Sequence, residues 1–351
     1  FALEETAQSA KEFRKFINDL TTLSMLIGCT VLLLTNNARR SVESVEYTMV
    51  DGWIELEMVQ AAHRSERFVR ILKYRGSGFI EGQHTVTING EGMRVFPRLE
   101  ALAANTMVLP PSAGRLKLGV PELDAMLGGG LPSGTATLVV GPSGIGKTTI
   151  GLHFIASSSE NEPGLIFNFY ETAEQLRAKS EALGLALGPL LDAGHVEVER
   201  HAPTEQRLDV LVYRLLTLVR ERGVKRVLID GIDGFAQSVT DPERLPRVMA
   251  ALSSALRQEG ATVVYTLEQP ALTHAGDSIP FSISSAAQNI LLARYVELDS
   301  EIRRGLLVLK VRDSVFERKI RELEITSQGM RIGSVLPSGM FLRDEPSMQK
   351  N

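Results

Sequence analysis

The stretch Thr137–Ile150, TLVVGPSGIGKTTI, constrains this chain more than any other. A β-branched run, Thr137 to Val140, meets Gly141-Pro142-Ser143-Gly144-Ile145-Gly146-Lys147-Thr148, and Thr149 opens an apolar-periodic helix pattern. G-x-x-x-x-G-K-[ST] between a strand and a helix is the phosphate-binding P-loop pattern. Its glycines let successive backbone N–H groups converge on an anion without Cβ clashes, and the new helix adds its positive end. Lys147 can reach the β- and γ-phosphates, and the Thr148 hydroxyl can ligate Mg²⁺. The bland alternative is a glycine-rich strand-to-helix turn with a solvated lysine, and the strand-then-helix context argues against it. A nucleoside triphosphate is the expected ligand.

Around this loop, strand and helix patterns alternate. Strands are expected at 137–140, 165–169, 195–199, 226–229 and 262–266, with helices from 147 and at 172–183, 205–222 and 243–258. That order predicts an α/β fold, a mostly parallel sheet with helices on both faces, followed over 290–333 by β-hairpins. Val227-Leu228-Ile229-Asp230 is an apolar run ending in an acid. In a P-loop fold such an acid holds Mg²⁺; a helix N-cap is the alternative for Asp230. Asp233 reads as a turn residue. Glu171, just past the strand 165–169, can activate the water that attacks the γ-phosphate, or merely complement the dipole of the next helix. Lys310 and Arg312 alternate on one strand and so share a face, which either serves an anion or is a solvated face. The six histidines show no metal-ligand spacing, and His153 on the P-loop helix reads as a packing residue.

The chain also repeats itself. At a shift of 232 residues Leu20 falls on Leu252, Gly28 on Gly260 and Val31 on Val263; a helix through Phe13–Leu26 and a buried strand over Thr30–Leu34 are expected in this first copy. At a shift of 237, Lys73-Tyr74-Arg75 falls on Lys310-Val311-Arg312, and Gly92-Met93-Arg94 on Gly329-Met330-Arg331. A partial duplicate of one domain is therefore expected at the N-terminus. The first copy has no counterpart of the P-loop, so residues 1–109 read as the back half of a first domain. Residues 110–333 read as a complete second one, and 334–351 as a short tail. Residue 1 is Phe rather than Met, which reads as a processed or partial chain.

Composition bounds the function classes. With a net charge of −4, nothing basic draws the whole molecule to nucleic acid or an anionic membrane. Cys29 alone can make neither an internal disulfide nor a cysteine-rich zinc site, and its apolar surroundings predict a buried spectator. The longest apolar run, Met25–Leu34, is too short to span a bilayer, so no membrane partner and a cytoplasmic protein are expected.

Gly119-Val120-Pro121-Glu122-Leu123-Asp124, Gly128-Gly129-Gly130-Leu131-Pro132-Ser133-Gly134, the P-loop, Phe169-Tyr170-Glu171 and Leu298 to Ser314 together resemble the KaiC family of RecA-like, double-domain ATPases. The resemblance implies ATP with Mg²⁺ between neighbouring subunits of a homohexamer. It makes Lys310 and Arg312 residues that act in trans on the next subunit's ATP, with Lys73 and Arg75 their first-domain counterparts. Ser284 and Ser285 fall where clock KaiC carries its autophosphorylated Ser-Thr pair, so serine/threonine autokinase activity and a phosphoprotein are implied. Three departures stand out: Tyr170-Glu171 where the family has two adjacent acids, Gly231 where serine follows the magnesium acid, and a short tail after Gly333. A KaiC-like signalling ATPase outside the clock, with other signalling proteins as partners, is the preferred expectation. A RecA-like DNA-dependent ATPase and a non-hydrolysing ATP-gated scaffold are the competing classes, the former disfavoured because no basic, aromatic-interleaved stretch is evident.

Overall fold

The computed structural model describes residues 10–35, 45–61, 64–103, 114–202, 206–269, 286–312, 314–337 and 340–341. Its packing divides the chain between Pro97 and Arg98, short of the boundary expected at 109/110. The helix Leu99–Ala103 goes with the second unit because Glu100 on it is bound by Arg244.

The first unit has helices α1 (Ala10–Ile27) and α2 (Val45–Met49), then strands β1 (Gly52–Ala61), β2 (Arg64–Tyr74), β3 (His84–Asn89) and β4 (Gly92–Phe96). The four strands form one antiparallel sheet in sequence order. Two expectations fail here. Thr30–Leu34 is not a strand, and it is not buried: Leu32 is 82% and Leu34 88% exposed. Cys29 is exposed as well. A strand is stable only when hydrogen-bonded to neighbours, and the corresponding segment of the second unit, Thr262–Glu268, lies between two parallel strands that have no counterparts among the described residues of the first unit.

The second unit runs α3 (Leu99–Ala103), β5 (Arg115–Leu116), α4 (Pro121–Met126), β6 (Leu131–Pro132), β7 (Ala136–Gly141), α5 (Lys147–Ala156), β8 (Gly164–Asn168), α6 (Ala173–Ala182), α7 (Leu187–Asp192) and β9 (Val196–Arg200). It continues with α8 (Leu208–Arg222), β10 (Arg226–Asp230), α9 (Ile232–Ser238), α10 (Arg244–Gln258), β11 (Thr262–Glu268), β12 (Asn289–Leu298), β13 (Glu301–Val311), β14 (Arg321–Thr326), β15 (Gly329–Val335) and β16 (Met340–Phe341). One sheet carries the order β15-β14-β13-β12-β7-β11-β10-β8-β9, with β16 beside β12. Strands β12, β7, β11, β10, β8 and β9 are parallel, while β12 to β15 form antiparallel hairpins.

The sheet separates two cores because side chains alternate along each strand. On β7, Leu138 and Val140 face the layer containing Leu211, Leu215, Phe235, Val248 and Leu252. Val139 faces the opposite layer with Ile150, Phe154, Leu176 and Leu187. A strand covered on both sides reads as a continuous apolar run rather than an alternation, as Thr137–Val140 and Val227–Ile229 do. Short helices α4, α7 and α9 escape the periodicity reading because they hold fewer than two turns.

At a shift of 237 residues the bounds of β1, β2 and β3 fall on those of β12, β13 and β14, and the register shift between Trp53 and Ile54 falls on that between Ile290 and Leu291. Burial differs sharply between the two sheets. Ile54 and Leu56 are 61% and 65% exposed, whereas Leu291 and Ala293 are 0% and 1% exposed beneath the α5 layer.

Candidate nucleotide-binding site

The site is assembled at the carboxyl ends of parallel strands, the general location of ligands in open α/β sheets. Strand β7 ends at Gly141, where an added Cβ would lie 2.5 Å from the Ala293 carbonyl oxygen, so no side chain fits. Gly146, at φ 114°, closes the loop in the left-handed region, and a Cβ there would also meet Ile325 Cδ1 at 2.6 Å. The Ile150 N–H donates to the Gly146 carbonyl (3.1 Å), so the α5 ladder starts within the loop and its positive end faces the loop's concavity.

Lys147 Nζ reaches back over the loop and donates to the Pro142 carbonyl (2.8 Å), with Glu268 Oε2 at 3.9 Å. Burial lowers the Lys147 pKa, and the Glu268, Asp230 and Asp233 carboxylates oppose that shift. Thr148 Oγ1 donates to Asp230 Oδ2 (2.9 Å) and Oδ1 (3.2 Å), which joins the loop to the end of β10. Thr266 Oγ1 donates to Asp230 Oδ1 (2.6 Å) and accepts from the Gly231 N–H (2.8 Å). Burial raises the Asp230 pKa, against the pull of both hydroxyls. A hydroxyl beside one partly buried carboxylate suits Mg²⁺, which takes few protein ligands and completes its shell with water and phosphate oxygens. No group of three or more His, Cys, Asp or Glu among the described residues is arranged to hold a metal by itself. Bound there, the cation would neutralise charge on the β- and γ-phosphates.

Glu171 follows β8. Its N–H and that of Tyr170 both donate to Asn168 Oδ1 (2.9 and 3.2 Å), and its Oε1 lies 2.6 Å from Lys179 Nζ on α6. The end of α6 is satisfied by Thr172 in a capping box with Gln175, with Glu174 in its first turn. Asp233 lies in the first turn of α9 rather than in a turn, because Gly231 supplies the bend at φ 92° and the helix starts directly after it. His153 is buried as expected, and its Nε2 accepts the Met330 N–H (2.9 Å), tying α5 to β15.

Lys310 sits near the end of β13 with Nζ donating to the Ala287 carbonyl (2.8 Å), and Arg312 lies one residue beyond the strand, exposed. Among the described residues neither makes a hydrogen bond or ion pair with the loop. Lys73 Nζ likewise donates to the Tyr47 carbonyl (2.6 Å), and Arg75 Nη2 to the Thr48 carbonyl (3.0 Å). Ser284 and Ser285 lie outside the described residues. Sequence reasoning missed Glu268, Thr266 and Lys179. Glu268 was legible, since it ends an apolar strand run as Asp230 does; Thr266 and Lys179 carry no sequence signal.

The model of the family described as "ATPase: KaiC" matches residues 2–100 and 116–336. The chain is 28% identical over 333 residues to the circadian clock protein KaiC3 of Synechocystis sp., covering 94% of this chain and 65% of that protein. It is 25% identical over 336 residues to the circadian clock oscillator protein KaiC of Acaryochloris marina, covering 94% and 63%. Against the circadian clock oscillator protein KaiC 1 of Synechocystis sp. it is 27% identical over 286 residues, 81% of this chain and 54% of that one. The chain thus spans less than two thirds of the length of these curated relatives. No helix among the described residues is long and apolar enough to cross a membrane. With a P-loop whose hydroxyl meets a strand-end acid, on a sheet of RecA-like build, the chain belongs to the KaiC family of ATPases.

Proposed function

We propose that this protein hydrolyses Mg²⁺-ATP at the interfaces of a homohexamer and serves as a signalling switch. The observation that carries the reading is the Thr148–Asp230 contact beneath the P-loop, which presents a hydroxyl and a carboxylate to one cation. Glu171, whose charge bears on Asp230, is the water-activating base. Lys310 and Arg312 reach the neighbour's nucleotide; their support is the repeat of the pair at Lys73 and Arg75. The first unit, ending at Pro97 within the expected span 1–109, stands as the back half of a first domain, supported by the coincident strand bounds and the shared register shift. Phosphate transfer to Ser284 or Ser285 is the accompanying autokinase reading.

One observation favours a second reading, an ATP-gated scaffold with little turnover. Lys179 Nζ lies 2.6 Å from Glu171 Oε1, so the carboxylate is already engaged by an ammonium at the place where it would have to hold a water. The deciding experiment measures mass by light scattering with and without Mg²⁺-ATP, and turnover, for wild type, Glu171→Gln and the pair Lys310→Ala/Arg312→Ala. An ATP-dependent hexamer weakened by the pair, with turnover lost in Glu171→Gln, supports the leading reading. A hexamer whose slow turnover ignores Glu171→Gln supports the scaffold, and a monomer in every condition removes the trans roles. Mass spectrometry after incubation with ATP reads the serines.

A further inference from the structure

Tyr170 and Gly231 are in contact across the site. A Cβ added to Gly231 would lie 2.8 Å from Tyr170 Cε2 and 3.5 Å from Cδ2, so the phenol ring occupies the space a side chain at 231 would need. Gly231 also holds φ 92°, which side chains rarely adopt. The ring sits edge-on to Phe169, with centroids 6.4 Å apart. Beyond Gly231 the contacts continue: its N–H donates to Thr266 Oγ1, Thr266 donates to Asp230 Oδ1, and Asp230 accepts from Thr148. One unbroken path therefore runs from the Tyr170 ring to the hydroxyl of the P-loop.

We propose that Tyr170 is a positioning residue for the magnesium acid: its ring, packed on the side-chain-free Gly231, holds the 230–231 bend so that the Gly231 N–H fixes Thr266 and Thr266 aims the Asp230 carboxylate. The proposal rests on the Mg²⁺-ATP reading of the site. Steric fit makes residues 170 and 231 a matched pair, since any side chain at 231 must displace the ring. The ring rather than the hydroxyl is the working part, because the ring carbons Cε2 and Cδ2 are the atoms that a side chain at 231 meets first. Burial and the Asp233, Glu268 and Asp230 carboxylates raise the phenol's pKa, so it adds no charge to the cation site.

The test uses the full chain and the variants Tyr170→Phe, Tyr170→Ala, Gly231→Ala and Tyr170→Ala/Gly231→Ala. Two quantities are read: the Mg²⁺ concentration giving half-maximal ATPase, and the affinity for a fluorescent ATP analogue in EDTA, which reports the loop without the cation. Loss of an outer partner of a metal ligand costs about 10-fold or more in metal affinity. Tyr170→Ala should therefore raise the half-maximal Mg²⁺ about 10-fold with EDTA binding unchanged, and Tyr170→Phe should match wild type. Gly231→Ala should impair Mg²⁺ use in the wild-type background and add less in the Tyr170→Ala background, where the clash is gone and only the φ strain persists. Equal damage from Phe and Ala at 170 overturns the proposal, as does an unchanged Mg²⁺ requirement in Tyr170→Ala, or strict additivity of the two sites. Should wild type itself bind the analogue but show no Mg²⁺-dependent turnover, the Mg²⁺-ATP hydrolase reading fails first and takes the positioning role with it.

Discussion

Asp230→Asn should move stability and function in opposite directions. The Asp230 carboxylate is partly buried between the Thr148 and Thr266 hydroxyls, and burial raises its pKa above the usual carboxylate value. The sign follows from linkage: between the unfolded and native pKa values the native state binds more protons, so the group's contribution falls as pH rises and is least favourable once it is ionised. Asparagine removes that buried charge while losing no hydrogen bond. Its Oδ1 accepts from Thr266 as Asp230 does (2.6 Å), and its Nδ2 can donate to Thr148 Oγ1 across the present 2.9 Å contact, with the hydroxyl rotating to accept. Relief of a buried charge at a functional site is a stabilising change of about 1–2 kcal/mol. That corresponds to roughly 2–8 °C in Tm for a unit of this size. The ligand effect is reversed. Nucleotide at about 100 times its Kd stabilises wild type by roughly 2.7 kcal/mol, and the Mg²⁺-dependent part of that gain should vanish in the variant. The assay is thermal unfolding at pH 7.5 with EDTA, with ATP plus EDTA, and with Mg²⁺-ATP. A variant melting below wild type in EDTA would refute the buried-charge argument, and one keeping its full Mg²⁺-ATP shift would remove Asp230 as the magnesium acid.

Three further outcomes follow from named contacts. Arg244 holds Glu100 (2.8 Å) and the buried Asp209 (2.9 Å), so Arg244→Ala should cost about 3–5 kcal/mol in urea unfolding by depriving Asp209 of its bidentate partner; a loss under about 1 kcal/mol would contradict this. His153 is held neutral, burial depressing its pKa, while Nε2 accepts from Met330. Its contribution is therefore complete above the unfolded value near about 6.5 and lost as pH falls below it, because the unfolded chain takes the proton first. Urea stability measured from pH 8 to pH 5 should fall less steeply in His153→Gln than in wild type, and an identical slope would rule the histidine out. Ile54→Lys should change stability by no more than about 0.5 kcal/mol, whereas Leu291→Lys at the matching strand position should cost more than about 4 kcal/mol. Equal costs would mean that the exposed face of β1 is covered in solution.

The sequence by itself determined the parts whose signal is local. The P-loop was legible because its chemistry needs glycines, a lysine and a hydroxyl at fixed spacing, and its strand and helix flank it directly. The parallel core was legible because strands covered on both faces are continuous apolar runs, as at Thr137–Val140 and Val227–Ile229. Asp230 stands out by the same logic, as an acid ending such a run, and the fold sets it 2.9 Å from the Thr148 hydroxyl. What only the tertiary structure decided depends on partners distant in the chain. Thr30–Leu34 carries a strand's residues but has no flanking strands among the described residues, and its apolar side chains and Cys29 are exposed. Thr266 enters the site only because β11 lies beside β10, and Lys179 only because α6 returns its side chain to Glu171. The contact between Tyr170 and Gly231 joins residues far apart in sequence at the ends of neighbouring strands β8 and β10. Composition and periodicity report which residues want burial or a backbone bend; which neighbour supplies the cover or the hydrogen bond is set by sheet order, which no local pattern encodes.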